Sequence, residues 1–579
     1  MAQPSSTPVV TRTGYQNFGS FFTENVEDLI SIPKDSYIAP ESPFTPPSLG
    51  HVATLGFGEP CRQLFMIDFT TWTFINHGAF GAVCRAAHQE SNQWREHCES
   101  QPLRFLDREL FPHMVRVMRE MADFIGADPR DLVLVPNATT GLNVAIQAAG
   151  LRPGDTMYML NIGYGSVKKM AQAASAAAAG RGAGTAPGSG PTPAPGAGSS
   201  SGEAPGGINV VYGEVTFPLS SPRDIVDLVA ATMPPDTRLA VFDSVTSNTA
   251  LVLPVSELTR LCKSRGVQVL IDGAHALGQL HLDLQRGICG DTYHDSGSSS
   301  SSSGTKGDGD ETRSIQQVGS SATAAASSTA ANVEAVDIAA ATATATATDV
   351  AAAADVAVSA GPRGSVPGNL VSPQLNCIPD YFVTNCHKWL CAPRGSAVLW
   401  VASNRQACVR PLVVSHGSGC GFTSDFIWDG CRDYAPYLAT SSALALWRLL
   451  GPPRVRSYCR GLLREAVALL TARWGTTMLA PSFQMCACMA LVELPRQGLV
   501  ETEPATSTDA KYVQDLLHHV HAVECPVKCI QGRLYVRISV HIYNILADYE
   551  RLAEAVDRIA ASNSPSQAPA PAPAPAPNE

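Results

Sequence analysis

What this 579-residue chain lacks narrows it first. No run of apolar residues is long enough to span a bilayer, and Met1 to Ile30 has no secretory hydrophobic region. Positive charge is in deficit, 41 Lys and Arg against 51 Asp and Glu, for a net charge of -10. That balance argues against a nucleic-acid or anionic-membrane partner. The 16 cysteines show no zinc-like C-x-x-C pairing, and Cys486-Ala-Cys488 and Cys525…Cys529 have no partner cluster. We therefore expect no metal, and reduced, mostly buried thiols of an intracellular protein. A cytoplasmic location is the expectation. An organellar presequence is the alternative, since the first acidic residue is Glu24 and Ser, Thr and Arg12 precede it.

Large apolar side chains are almost missing from two long tracts and the tail. Residues 173–207 are mostly Ala, Gly, Pro and Ser, and 291–373 combine a serine run with Ala-Thr repeats. Neither can bury a core, so both are expected to be disordered loop insertions. Their length is tolerable because loop-closure entropy grows slowly. The expected organisation is an N-terminal arm over 1–61, a large domain over 62–405 carrying both insertions, a small domain over 406–562, and an unpacked Ala-Pro tail from 563.

What remains reads as alternating strands and helices. Strands are expected at Leu132–Pro136, Met157–Ile162, Ile208–Val215, Leu239–Phe242, Val267–Ile271, Tyr381–Thr384 and Ser396–Val401. Helices are expected at Ala86–Glu99, Arg108–Ile125, Gly141–Ala149, Arg223–Met233 and Pro254–Arg265. Such alternation implies an α/β fold with a largely parallel sheet covered on both faces. Helices at Ser441–Leu450, Val455–Trp474, Lys511–His521 and Ala547–Ala561, with strands at 484–494 and 534–540, imply a smaller α+β domain.

One lysine organises the chemistry. Lys388 lies in Asn385-Cys-His-Lys-Trp-Leu390, between two apolar strands, and is the only lysine between Lys306 and Lys511. Burial there would disfavour the ammonium form and leave a nucleophilic amine able to form a Schiff base with an aldehyde. A lysine snorkelling to water is the ordinary alternative. Other strand ends carry complementary groups, where ligands gather in such folds. Asn137-Ala-Thr-Thr-Gly141 opens a helix, with Thr139 and Thr140 hydroxyls, a glycine for close approach, and N–H groups suited to phosphate. An ordinary N-cap would look the same. Asp272 ends a strand and could hold a protonated ring nitrogen, or simply cap a helix. His275 follows three residues later, as a donor to a phenolate or as a satisfied loop histidine. Tyr164, between two glycines, could lie flat on a planar ligand. His387 directly precedes the lysine. Together these are the parts of a pyridoxal phosphate site.

The motifs Phe74-Ile-Asn-His-Gly-Ala-Phe-Gly81, Asn137-Ala-Thr-Thr-Gly-Leu-Asn143, Asp272-Gly-Ala-His-Ala-Leu-Gly-Gln279, Asn385-Cys-His-Lys-Trp-Leu390 and Tyr535-Val-Arg-Ile-Ser-Val-His-Ile-Tyr-Asn544 give this its family likeness. The chain resembles class V aminotransferase-fold enzymes, nearest the isopenicillin N epimerase-like group that includes L-cysteine desulfhydrases. The likeness runs from about Asp68 to Asp557. It implies a fold-type I pyridoxal 5'-phosphate enzyme, with a mainly parallel seven-stranded sheet and a smaller C-terminal domain. It also implies a homodimer with interfacial active sites. By the same resemblance Lys388 is the Schiff-base lysine, Asp272 the pyridinium partner and Tyr164 the ring-stacking residue. His275 neighbours the phenolic oxygen, and Thr139, Thr140 and His387 serve the phosphate. Arg537 grips a substrate α-carboxylate, Asn76 and His77 form a substrate-side loop, and Ser247 or Asn248 faces the cofactor.

Two departures stand out. Cys431, in Trp428-Asp-Gly-Cys-Arg-Asp433, replaces a threonine that usually reaches the partner's phosphate. Cys525 and Cys529 lie in strand-like sequence without the mobile-loop motif of cysteine desulfurases. Persulfide chemistry is thereby disfavoured. The resemblance implies a carbon–sulfur lyase making sulfide, pyruvate and ammonia from cysteine, with larger sulfur substrates also compatible. An amino-acid epimerase is the alternative, and a catalytically silent binding protein of the same fold a third.

Overall fold

The computed structural model describes residues 25–50, 52–182, 206–290, 377–500 and 503–563. Most of the first insertion, all of the second and the tail beyond Asn563 lie outside the described residues.

Seven strands form the main sheet: β1 (Leu132–Val135), β2 (Thr156–Leu160), β3 (Asn209–Gly213), β4 (Thr237–Asp243), β5 (Gln268–Asp272), β6 (Tyr381–Asn385) and β7 (Ala397–Val401). Their order is β1-β7-β6-β5-β4-β2-β3. Neighbours are parallel throughout β6-β5-β4-β2-β3, and β7 runs antiparallel to both β6 and β1. Every residue of β1, β2, β6 and β7 is buried. That is why these stretches read as unbroken apolar runs rather than alternating ones. Helices Ala138–Ala148 and Gly165–Gly182 follow β1 and β2. Their apolar residues meet Val133, Val135, Met157, Met159, Tyr381 and Val383 on one face of the sheet. The other face, with Leu132, Leu134, Tyr158, Phe382 and Val398, joins the larger core built on helix Leu110–Ile125.

A second sheet of three antiparallel strands follows: β8 (Met489–Glu493), β9 (Val527–Ile530) and β10 (Arg533–Ser539), ordered β8-β10-β9. Helices Pro452–Trp474 and Ser507–His519 pack on it. Thr73–Phe74 pairs in parallel with Val523–Glu524, which carries Asn76 from the start of the chain to the base of β10. No helix among the described residues is long and apolar enough to cross a membrane.

The structure revises the sequence reading at two places. Helix Gly165–Gly182 continues ten residues into the tract expected to be disordered. Ala178 is buried there, and the Ser175 hydroxyl donates to the Ile208 carbonyl at 2.6 Å. Alanine is the best helix former, so an Ala-rich start needs few contacts to stay helical. Within the arm, Val26–Ser31 is a helix capped by the Asn25 side chain, with Val26 and Ile30 buried. The Arg119 guanidinium holds its end, donating to the carbonyls of Ile30 and Ile32 at 2.9 and 2.7 Å.

Candidate active site

The sheet delivers side chains to one place because parallel strands all end on the same edge. The carboxyl ends of β1, β2, β4, β5 and β6 border a cavity of about 200 Å³. Its walls include Thr139, Tyr164, Asp243, Ser247, Asp272, His275, His387 and Lys388. A larger open cavity, about 560 Å³, lies at Lys34, Asp123 and Arg448. There Lys34 is paired with Asp123 and Arg448 donates to the Glu120 carbonyl.

Lys388 sits in the loop between β6 and β7. Burial pushes its amine down to about 8; Asp272 pulls it back up and Arg537 presses it further down. Nζ stands 3.0 Å from His275 Nε2, and the Trp389 indole N–H donates to His275 Nδ1 at 3.3 Å. His275 is held well below the usual histidine range, by burial first and then by Lys388 and Arg537. It is therefore neutral. Asp272 is buried at the end of β5, its Oδ1 accepting from the Ala274 N–H at 2.9 Å. Burial raises its pKa while the Ala274 N–H and Lys388 draw it back. Beside it, at the end of β4, lies Asp243, pushed well up by burial and by the Asp272 charge. The sequence reading missed Asp243. Its only signal was a carboxylate closing an apolar strand, Leu239-Ala-Val-Phe-Asp243, the same signal that singled out Asp272.

Several expectations change in detail. Thr139 lines the cavity, but Thr140 does not: its hydroxyl donates to Asn137 Oδ1, within the helix cap. Gly141 serves packing rather than ligand approach, since a Cβ there would come within 2.7 Å of Val383 on β6. Of Ser247 and Asn248, Ser247 borders the cavity. His77, expected on the substrate side, is fully buried behind the lysine. Its Nε2 donates to the Lys388 carbonyl at 3.1 Å, and Nδ1 takes the Tyr543 hydroxyl at 2.7 Å. The close approach depends on Gly81, whose φ of +70° and missing Cβ leave room for the backbone of His387 and Lys388. His77, Cys391 and His541 have ligand atoms within 4.8 Å of one another. The two imidazoles stack at 4.1 Å with planes 15° apart, however, so their in-plane lone pairs do not converge on one ion. This cluster is a hydrogen-bonded floor under the lysine loop.

Arg537 projects from β10 and is almost wholly buried, its pKa lowered to about 10 by burial. One terminal nitrogen donates to the Ser247 carbonyl and the other to Asn76 Oδ1 at 3.0 Å. Asn76 in turn donates to Glu524 at 2.9 Å. Among the described residues the guanidinium has no carboxylate partner, and its Nε has no hydrogen bond. Asn76 thus holds Arg537 rather than facing the cavity. His387 is a second such case: Nδ1 is buried without a partner, and burial lowers the ring to about 4.

Unpaired buried polar atoms are costly; one of them, on His387, lies in the wall of a cavity that also holds an amine of lowered basicity, and the other belongs to Arg537, which is bonded to the wall residue Ser247. The residues present therefore fit pyridoxal 5'-phosphate. An aldehyde suits Lys388, a pyridine nitrogen suits the buried carboxylate of Asp272, a phenolic oxygen suits His275, and the phosphate suits the Thr139–His387 end. Tyr164 lines the same cavity, half exposed. No cysteine is among the described residues that line it. Cys525 is buried, its thiol pushed up chiefly by burial, and Cys529 is spent on the Ala505 carbonyl at 3.1 Å. Cys431 is exposed in the 428–433 loop, where Arg432 pairs with Asp429 and lies over the Tyr434 ring at 4.3 Å.

No family model matches the chain. Individual proteins do. A putative L-cysteine desulfhydrase 1 from Oryza sativa subsp. japonica is 24% identical over 527 residues, covering 85% of this chain and 84% of its own. An isopenicillin N epimerase from Streptomyces clavuligerus is 24% identical over 518 residues, covering 86% and 98%. Among solved structures, the cystine C–S lyase C-DES bound to its product cysteine persulfide superposes with a TM-score of 0.55 at 15% identity, covering 85% of this chain and 98% of that one. A C-DES variant with glycine covalently linked to its PLP cofactor gives a TM-score of 0.53, also at 15% identity, covering 84% and 96%. The chain has the fold of these enzymes, and the resemblance read from its motifs holds along its length.

Proposed function

We propose that the chain is a pyridoxal 5'-phosphate-dependent carbon–sulfur lyase of the L-cysteine desulfhydrase type. With water it converts cysteine to sulfide, pyruvate and ammonia. The observation that carries this reading is the cavity itself: Lys388, with its amine lowered to about 8, lies within the electrostatic reach of a buried Asp272, and no cysteine is among the described wall residues.

When bound, the cofactor supplies an electron sink for the bond made or broken at Cα. The protein's part is positioning and proton transfer. Lys388 Nζ would hold the cofactor aldehyde and, as a free amine, would take the Cα proton. Asp272 would keep the ring nitrogen protonated, His275 would donate to the phenolic oxygen, Tyr164 would cover the ring, and Thr139 with His387 would hold the phosphate. Arg537 binds the α-carboxylate with the planar fork that suits it. Asn76 aims that fork. Loss of the Cα proton then allows the β-sulfur to leave as sulfide, with no protein thiolate required.

Pure protein incubated with L-cysteine should release sulfide and pyruvate in equal amounts. Borohydride should fix the cofactor to a peptide containing Lys388. Attachment at Lys168 or Lys528 would sink the assignment. A second reading rests on the epimerase relative, which matches over nearly its whole length at the same identity. A proton returned to Cα from the opposite face would racemise the substrate, and racemised amino acid without sulfide would decide for it.

The same proposal takes the chain as a homodimer. Phe80 supports it, lining the cavity yet 73% exposed, as do the exposed apolar residues Leu412, Val413 and Val414. Sedimentation of the pure protein tests the stoichiometry.

A further inference from the structure

The residue after the lysine, Trp389, is buried and was singled out by no role above. Its indole N–H can only donate. It lies 3.3 Å from His275 Nδ1, so Nδ1 must accept. A neutral imidazole has one donor and one acceptor nitrogen, which leaves the His275 proton on Nε2. Nε2 is the atom 3.0 Å from Lys388 Nζ. An ammonium there would set donor against donor. A free amine would accept from Nε2–H through its lone pair.

We propose that Trp389 is a positioning residue that locks His275 in the Nε2–H tautomer, so that His275 acts only as a donor toward the cavity and holds Lys388 as a free amine. Two consequences follow from the same atoms. His275 cannot serve as a general base, because Nδ1 is capped and Nε2 already carries its proton; proton abstraction is left to Lys388. The same Nε2–H can pass to an oxygen in the cavity once Lys388 Nζ moves away, with no change of tautomer. The charged and titratable groups facing Lys388 are Asp272 and Asp243, which favour its ammonium, and Arg537, which opposes it. His275 adds its N–H dipole to the side of Arg537. Its own position is fixed from behind, where the Trp389 ring packs at 4.8 Å from His77.

The inference rests on reading Lys388 as the cofactor lysine, and its test is independent of activity. Full-length protein, freed of cofactor and labelled with ¹⁵N-histidine, is compared as wild type, Trp389→Phe and His275→Gln, the last identifying the His275 signals. Wild type should show Nδ1 unprotonated and Nε2 protonated. Trp389→Phe keeps an aromatic, though smaller, side chain and removes the N–H, so Nδ1–H should become populated. Nε2 can then accept from an ammonium, and the midpoint for acetylation of Lys388 by acetic anhydride should rise by about one pH unit, the equivalent of one ordinary hydrogen bond. A protonated Nδ1 in wild type overturns the proposal whether or not Trp389→Phe folds. So does an unchanged tautomer, or an unchanged labelling midpoint, in a folded Trp389→Phe. Loss of the lyase reading would instead show as absent sulfide release with the tautomer intact.

Discussion

Asp243 and Asp272 end adjacent parallel strands as direct register partners, and both are buried. Two adjacent buried carboxylates cannot both ionise without a large penalty. Asp272 feels Lys388 and the Ala274 N–H, whereas Asp243 feels Asp272 as its main charge, so the shared proton belongs on Asp243. Asp243→Asn then changes little in charge and should keep cofactor binding within about threefold, the scale of a modest polar change. Asp272→Asn removes the ionised partner and should weaken cofactor binding by about 10- to 100-fold, the worth of a hydrogen bond to a charged group. Spectrophotometric titration of each apo variant with the cofactor checks both. Equal losses would place the charge on the pair rather than on Asp272.

Lys388 gives a pH signature in the cofactor-free protein. Its amine titrates near 8 in the fold, against an ordinary 10.5. The unfolded chain therefore binds more protons between those values, and stability gains as pH rises through that window. Below 8 the penalty is present in full, of order 3 kcal/mol for a shift of this size. Replacing Lys388 with Met removes the titration. The wild-type apoprotein should accordingly gain stability relative to Lys388→Met from about pH 8 to 10.5. Urea melts across that range measure it, and a difference flat with pH would mean an amine of ordinary basicity.

Much of this site was legible because chemistry and topology repeat one signal. Apolar strands ending in Asp272 or preceding Lys388 can be read from the residues alone. Sidedness cannot. His77 and Asn76 stand in one motif, yet a short helix turns His77 behind the lysine and leaves Asn76 beside Arg537, a choice set by contacts 311 and 461 residues away. Asp243 was invisible for a different reason: a strand-end aspartate is common, and only the register of β4 against β5 makes it a partner of Asp272. The Val26–Ser31 helix was lost in a Pro- and Ser-rich stretch because its stability comes from Arg119, far along the chain, rather than from local propensity.

Arg537, Asn76 and Glu524 form a chain of donors ending on a carboxylate. Arg537→Ala should raise KM for an amino-acid substrate by about 10- to 100-fold, the worth of a charged hydrogen-bond pair. Asn76→Ala loosens the aim of the fork and should cost about three- to tenfold, one neutral hydrogen bond. Asn76→Asp offers Arg537 an internal carboxylate in competition with the substrate's, so its KM should exceed that of Asn76→Ala. Steady-state kinetics on the three variants test the order, and Asn76→Asp binding tighter than Asn76→Ala would refute it.

The boundary of the first insertion is testable by deletion. Removing 183–205 with a Gly-Ser bridge leaves Ala178 buried and the Ser175–Ile208 bond in place, so the melting temperature should hold. Removing 173–207 strips both and shortens helix Gly165–Gly182 by ten residues. That deletion should cost about 1–3 kcal/mol, the sum of one hydrogen bond and a small buried surface. If thermal melts show equal effects, the helical extension contributes nothing to the fold.

The fate of sulfur separates lyase from desulfurase. A desulfurase needs a protein thiolate that reaches the substrate sulfur. Cys525 is buried with its thiol held above the usual range, and Cys529 donates to a backbone carbonyl. Neither is among the described residues of the cavity wall. Expulsion of sulfide, by contrast, asks only that Lys388 take the Cα proton while Arg537 holds the carboxylate. Cys525→Ser and Cys529→Ser should each retain most sulfide release from cysteine, with pyruvate formed in equal amount. Cys525→Ser has the smaller margin, because a hydroxyl in a buried site must find a partner, so its melting temperature is measured alongside. The deciding quantity is the carbon product: alanine, with a persulfide trapped on either cysteine, would replace the lyase by a desulfurase.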